Sequence, residues 1–267
     1  MVIEQNRAIR RLDTGTERDC LKSIEKYIKI PHTVVISGMR RTGKSTLLAQ
    51  IMRRFYRDRF YYFNFEDERL VNFELEDFNA LFEVLLELFG EHKVFFFDEI
   101  QNMPKWELFV RRMQDTGYKF FLTGSNASLL SRELGTKLTG RNIIIELYPF
   151  SFKEFLSFKG VTLEKNTLAV TTERAKIKKY FHEYLKNGGM PEYLKYKDAE
   201  LLKRGYEDIL YRDIVARYDI KEVRSLRELG VYFLSNLASP FAYGKLRQML
   251  QLGSVNTVKS YVEFLEN

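Results

Sequence analysis

Gly38, Met39, Arg40, Arg41, Thr42, Gly43, Lys44 and Ser45 follow one another as G-x-x-x-x-G-K-S. That spacing suits one task. The glycines let the backbone curl so that successive N–H groups face phosphate oxygens, Lys44 reaches the β- and γ-phosphates, and the Ser45 hydroxyl ligates Mg²⁺. A nucleoside triphosphate is the expected ligand, held by residues 38 to 46, with Thr46 the last of them. Downstream, Val94-Phe95-Phe96-Phe97-Asp98-Glu99 is an apolar run that ends in two carboxylates. Asp98 would share the Mg²⁺ shell with Ser45, and Glu99 would activate the attacking water. A strand ending in Asp-Glu is by itself an ordinary solvated terminus, and it is the phosphate loop upstream that points this one to hydrolysis. Thr123, Ser125 and Asn126 close the next apolar run; one of them, with Ser125 the catalytic candidate, would sense the γ-phosphate or the water. Such clusters are equally common turn formers. Arg141, after Leu138-Thr139-Gly140, is a candidate arginine finger that meets charge developing on the transferred phosphoryl group, in its own site or a neighbour's.

These residues need a scaffold. Short, continuously apolar runs at 33–37, 60–65, 94–98, 120–123 and 143–147 read as strands buried on both faces, alternating with helical stretches such as 45–56. An α/β fold with a parallel sheet between helices follows. The strand bearing Asp98 is expected to adjoin the strand that leads into the loop. After Pro149 the pattern turns helical, at 151–158, 173–186 and 198–218, with a break at Asn187-Gly188-Gly189-Met190-Pro191; further helices are expected at 223–237, 243–251 and 254–266. The acidic stretch Glu66-Asp67-Glu68-Arg69-Leu70 reads as a solvated loop.

Composition removes several alternatives. A single cysteine, Cys20, excludes an internal disulfide, and His32, His92 and His182 have no metal-ligand spacing, so redox and metal-hydrolase chemistry fall away. No run approaches the roughly 18 apolar residues of a membrane span. The N-terminus carries no apolar signal core, so a cytoplasmic protein with no membrane partner is expected. Lys and Arg number 43 against 36 Asp and Glu, a net charge of +7 that permits a polyanionic partner. The signs are intermixed, however, and an evenly solvated surface accounts for the balance equally well.

Taken together, the motifs resemble those of AAA+ ATPases, and within them a group of archaeal and bacterial ATPases. The resemblance rests on residues 38–45, Asp98-Glu99-Ile100-Gln101, Leu122-Thr123-Gly124-Ser125, the turn at 138–141, and Leu147-Tyr148-Pro149-Phe150-Ser151-Phe152, and it extends over nearly the whole chain. It implies a P-loop core with a five-stranded parallel sheet at 1–150, a helical lid at 151–220, and a winged-helix-like helix-turn-helix module at 221–267. It also implies ATP and Mg²⁺ as cofactors and a homo-oligomer in which Arg141 acts in trans. One departure stands out. Lids of the branch-migration and origin-recognition types carry Gly-x-Pro-Arg, whose arginine touches the γ-phosphate, whereas the similar segment here reads Gly189-Met190-Pro191-Glu192. A carboxylate there repels phosphate. Either the lid senses nucleotide differently, with Arg40 and Arg41 of the loop compensating, or the segment is only a helix-breaking turn.

In the C-terminal third, residues 243–253 and 254–262 have the pattern of a helix-turn-helix, with Ser254 as N-cap and Val255, Val258, Val262 and Leu265 facing inward. Asn256, Thr257, Lys259 and Ser260 are left on the other faces to meet DNA, with Lys245 and Arg247 adding charge; a protein-docking bundle fits the same pattern. The chain ends before any wing hairpin, which suggests a short member or a longer natural chain. Two functions are therefore expected: an ATPase whose cycle is coupled to DNA binding, or a slow nucleotide-gated switch that docks protein partners. No guanine-specific Asn-Lys-x-Asp motif is present, which favours ATP over GTP.

Overall fold

The computed structural model describes residues 1–124, 141–163 and 169–266. Ser125, Asn126 and residues 138–140, all candidates above, lie outside the described residues. The described chain divides into two compact units, residues 1–197 and 198–267. Within the first unit, Phe150, Phe155 and Leu194 form a small apolar cluster of their own, and within the second, Leu210, Ile214 and Ile220 pack with the C-terminal helices.

Five parallel strands build the first unit: β1 (Thr33–Ser37), β2 (Tyr61–Asn64), β3 (Val94–Asp98), β4 (Lys119–Gly124) and β5 (Asn142–Glu146). Their order is β2-β3-β4-β1-β5. The central strands are buried along their whole length, as sheets covered on both faces require. Alternate side chains feed two cores. Val35, Phe95, Phe97, Phe120 and Leu122 pack under helices Asp77–Phe89 and Trp106–Asp115. Val34, Ile36, Phe96 and Phe121 pack with residues of helices Val2–Arg11, Cys20–Glu25 and Lys44–Ile51. On each face a phenylalanine of β3 stacks on one of β4, Phe95 on Phe120 at 4.9 Å and Phe96 on Phe121 at 4.8 Å. Each stacked pair adds about 0.5–1.5 kcal/mol beyond its buried area, which helps to hold β3 against β4 beneath Asp98 and Thr123.

The strand order corrects one expectation. β3 does not adjoin β1, because β4 lies between them, with Phe97 paired to Leu122 and Ile36 to Thr123. Periodicity identifies a buried strand but carries no information on its neighbour. The insertion of β4 puts the Thr123 end of that strand between the phosphate loop and Asp98.

The edges are also managed. The Gln5 side chain reaches β2 like a missing strand: its Oε1 accepts from Asn64 N at 2.9 Å and its Nε2 donates to Asn64 O at 3.1 Å, which occupies the exposed backbone of an edge strand. At the opposite end of the sheet, Lys119 Nζ donates to the carbonyls of Tyr27 (2.9 Å), Ile30 (2.7 Å) and His32, anchoring the turn that leads into β1.

The second unit is helical. Ala199–Asp208 continues through a π-helical stretch, Ile209–Val215, and is followed by Val223–Ser235, Tyr243–Met249 and Val255–Glu266. Leu210, Ile214, Leu226, Leu229, Leu246, Val258 and Tyr261 form its core. Ser254 caps the last helix as expected, its hydroxyl accepting from Thr257 N at 3.0 Å. Val258 is buried, Val262 and Leu265 pack partly, and Tyr261 joins them on the inner face. No helix among the described residues is long and apolar enough to cross a membrane.

Candidate functional site

The loop leaves β1 at Gly38, where a Cβ would collide with the Leu147 carbonyl, so only glycine fits between the loop and the end of β5. Gly43, at φ +95°, is the N-cap of the helix that starts at Lys44, and no side chain caps that terminus. The first amides of the helix are thus left for an external acceptor, the arrangement that receives phosphate. Inside the loop the Thr42 hydroxyl donates to Met39 O at 2.9 Å and fixes the curl. Lys44 is buried, with Nζ 3.1 Å from Gly38 O, 3.2 Å from Met39 O and 3.5 Å from Glu99 Oε1. Arg40 pairs with Glu66 at 3.1 Å and Arg41 with Glu192 at 3.1 Å. The stretch after β2 therefore contributes Glu66 to the surroundings of the loop rather than being solvated throughout. Met39 is half exposed.

Across β4 from the loop lies a carboxylate cluster. Asp98 is fully buried at the end of β3, and burial pushes its carboxyl above the usual range against the pull of hydrogen bonds from Ser45 and Thr123. Tyr62 OH donates to its second oxygen at 3.3 Å. The Thr123 hydroxyl donates to Asp98 Oδ1 and accepts from Glu99 N at 2.9 Å. Glu99 has φ +52°, a left-handed conformation that costs a non-glycine residue about 1–3 kcal/mol and recurs where function over-determines geometry. Its carboxylate accepts from Gln101 Nε2 at 2.6 Å. Lys44, Ser45, Asp98, Glu99 and Thr123 thus form one connected group.

This group fits a nucleoside triphosphate with a divalent ion. Ser45 and Asp98 are within hydrogen-bonding reach of one another, and a hard cation between them would take its remaining oxygens from phosphate and water. Among the described residues no cluster of three or more His, Cys, Asp or Glu side chains could hold a metal without such help.

Two further arginines differ from the motif pattern in opposite ways. Arg141 immediately precedes β5, at the end where Asn142 pairs with Thr33, and the loop lies past the other end, where Glu146 pairs with Ser37. A five-residue strand, roughly 16 Å at about 3.3 Å per residue, separates Arg141 from the loop of its own chain. It is exposed and pairs with Asp115 at 2.6 Å. Arg141 is thus remote from the phosphate loop of its own chain.

Arg18 escaped the sequence reading. It is buried, and its guanidinium donates to Thr42 O at 2.7 Å, Tyr148 O at 2.5 Å and Glu154 Oε1 at 3.0 Å while lying 5.1 Å from the Phe150 ring centroid. It fastens the phosphate loop to the segment after β5. Glu154 in turn completes a capping box with Ser151. The Ser-x-x-Glu spacing is a local signal for that cap, whereas a lone arginine in a mixed-charge N-terminal segment gives none.

Residues 31–156 match the family described as "AAA domain", and residues 178–267 match "Domain of unknown function (DUF8612)". An uncharacterized protein of Methanocaldococcus jannaschii is 40% identical over 227 residues, 83% of this chain and 51% of that protein. An uncharacterized protein of Haemophilus influenzae is 31% identical over 252 residues, 87% of this chain and 60% of that protein. The chain therefore spans about half to three-fifths of the length of these curated relatives. Among solved structures, the S. cerevisiae Hsp104-ADP complex aligns with all of this chain and 41% of its own at 16% identity and a TM-score of 0.47. With its phosphate loop, parallel sheet and paired carboxylates, the segment 31–156 belongs to the AAA domain family.

Proposed function

We propose that the chain binds ATP with Mg²⁺ and hydrolyses it, and that the cycle is coupled to DNA binding through residues 243–266. The observation that carries the hydrolytic part is the connection of Lys44 to Glu99 at 3.5 Å and of Glu99, through Thr123, to Asp98. Phosphate entering the uncapped helix start draws Lys44 from the loop carbonyls, and Glu99 is then free to accept a proton from water or to orient it. Thr123 holds Glu99 and Asp98 in fixed relation throughout. Ser45 and Asp98 would hold Mg²⁺, which would supply positive charge against the phosphates. Arg141 would complete the site of a neighbouring copy in a homo-oligomer. Cytoplasmic residence is part of this reading.

DNA coupling rests on the capped helix Val255–Glu266, on which Asn256 and Lys259 are exposed, preceded by Tyr243–Met249 with Lys245 and Arg247. A protein-docking switch is the second reading, favoured by the exposure of Val231, Leu234 and Leu237 at 51%, 60% and 76%. Steady-state hydrolysis with single-stranded, duplex and branched DNA at two salt concentrations separates them. Stimulation that weakens with salt supports DNA coupling, because phosphate contacts release counterions. Slow turnover indifferent to every DNA favours the switch.

A further inference from the structure

The segment Gly188 to Glu192 is placed by backbone contacts to Phe150, in the stretch after β5, and reaches the phosphate loop through one side-chain pair. Gly189 O accepts from Phe150 N at 2.8 Å, and a Cβ at Gly189 would collide with the Phe150 carbonyl. That carbonyl also accepts from Tyr184 OH at 2.7 Å. Phe150, Phe155 and Leu194 form a small apolar core beneath the helix Pro191–Tyr196. Phe150 follows β5 closely, and Leu147 just before it donates to Ser37 O at 2.7 Å at the mouth of the loop. The outcome is that Glu192 Oε2 lies 3.1 Å from Arg41 Nη1, with both side chains about one-third exposed. Arg41 itself stands between Gly38 and Gly43 at φ +64°, a strained conformation for arginine. A positive side chain of the phosphate loop is thus held by a carboxylate on the element that follows the core.

A triphosphate brings a second, stronger anion to the same guanidinium. Arginine pairs well with either carboxylate or phosphate, and the anion with more charge and more oxygens is favoured. Once phosphate takes Arg41, Glu192 is an unpaired carboxylate facing like charge and is driven off. We propose that Arg41 is a terminal-phosphate-binding residue and Glu192 its built-in competitor, so that a nucleoside triphosphate, and not a diphosphate, releases the helix Pro191–Tyr196 from the loop. This rests on the nucleotide-binding reading above. It assigns opposite work to the lid position compared with a lid arginine: the lid is held in the absence of the γ-phosphate rather than pulled in by it.

The test measures binding of Mg²⁺ with a non-hydrolysable ATP analogue and with ADP, by calorimetry, in the unmodified chain, Glu192→Gln, Glu192→Ala and Arg41→Gln. Both Glu192 variants should bind the analogue about three- to tenfold more tightly, the scale of one partly exposed ion pair, with ADP nearly unchanged. Arg41→Gln should weaken the analogue more than ADP, and adding Glu192→Gln to it should recover less than in the unmodified chain. Hydrogen exchange at residues 190–197 should rise with the analogue, not with ADP, and should already be raised in Glu192→Gln without nucleotide. Equal changes for both nucleotides, weaker analogue binding by both Glu192 variants, or exchange insensitive to the γ-phosphate overturns the proposal while leaving nucleotide binding intact. Failure of the unmodified chain to bind either nucleotide overturns both.

Discussion

The Thr123 hydroxyl donates to Asp98 Oδ1 and, with the same oxygen, accepts from the backbone N–H of Glu99. Three positions on two adjacent strands are therefore locked by one buried oxygen, at the carboxyl edge of the sheet where α/β proteins place their ligands. Thr123 was only one of three sensing candidates in the sequence, and the intervening position of β4 is what gives it this place.

Removing that oxygen should free the Glu99 backbone from the Asp98 carboxylate without touching the phosphate loop. Thr123→Val is expected to lower kcat by about 10- to 100-fold with nucleotide affinity within about threefold, since the loss falls on water positioning rather than binding. Steady-state kinetics together with nucleotide titration would check it. A variant with unchanged kcat would remove Thr123 from the mechanism.

Arg18 should matter mainly for holding the loop. Arg18→Ala leaves the buried Glu154 with only the Asp19 and Ser151 backbone N–H groups and removes the donor to the Thr42 and Tyr148 carbonyls, so a loss of about 3 kcal/mol is expected in denaturant unfolding. Arg18→Lys should recover little, because an ammonium cannot span the three acceptors in the plane of a guanidinium. Near-native stability of Arg18→Lys would show that charge alone is needed.

Arg141, placed beyond reach of its own loop, gives a mixing experiment. Arg141→Ala should lower turnover by about 10³-fold if it acts as a finger in a neighbour. Mixing it with Lys44→Ala should restore part of the activity, because some sites then combine an intact loop with an intact arginine. Light scattering establishes assembly under the same conditions, and absence of rescue in an assembled protein argues against the trans role.

Lys119 supports the sheet from the other end. Lys119→Met removes the shared donor to the Tyr27, Ile30 and His32 carbonyls, which are only partly buried, Tyr27 O keeping the Ile30 N–H, so a loss of about 1–3 kcal/mol in all is expected. A clear fall in Tm with nucleotide affinity little changed is expected from thermal melts and titration. A Tm equal to that of the unmodified chain would mean that the three carbonyls find other donors.

The division between what was legible beforehand and what was not follows from the kind of interaction. The loop from Gly38 to Ser45 and the run ending at Asp98-Glu99 were readable because backbone curl and strand burial impose local residue patterns. The strand limits differ by only a residue or two, as with Tyr61–Asn64 for 60–65. Strand order was not readable, and the expected adjacency of the Asp98 strand to β1 failed for that reason. Arg18 and the pairing of Arg41 with Glu192 join positions far apart in the chain, and such pairings leave no local periodicity. The anomaly at Glu192 was visible, but its partner was not.

Phosphate release from ATP by the unmodified chain and by Glu99→Gln, with Mg²⁺ and with EDTA, alongside ATP binding by both, tests the central claim most directly. The account predicts Mg²⁺-dependent turnover in the unmodified chain that EDTA abolishes, and ATP binding without turnover in Glu99→Gln. Equal turnover in the two proteins, or no ATP binding by either, would contradict it.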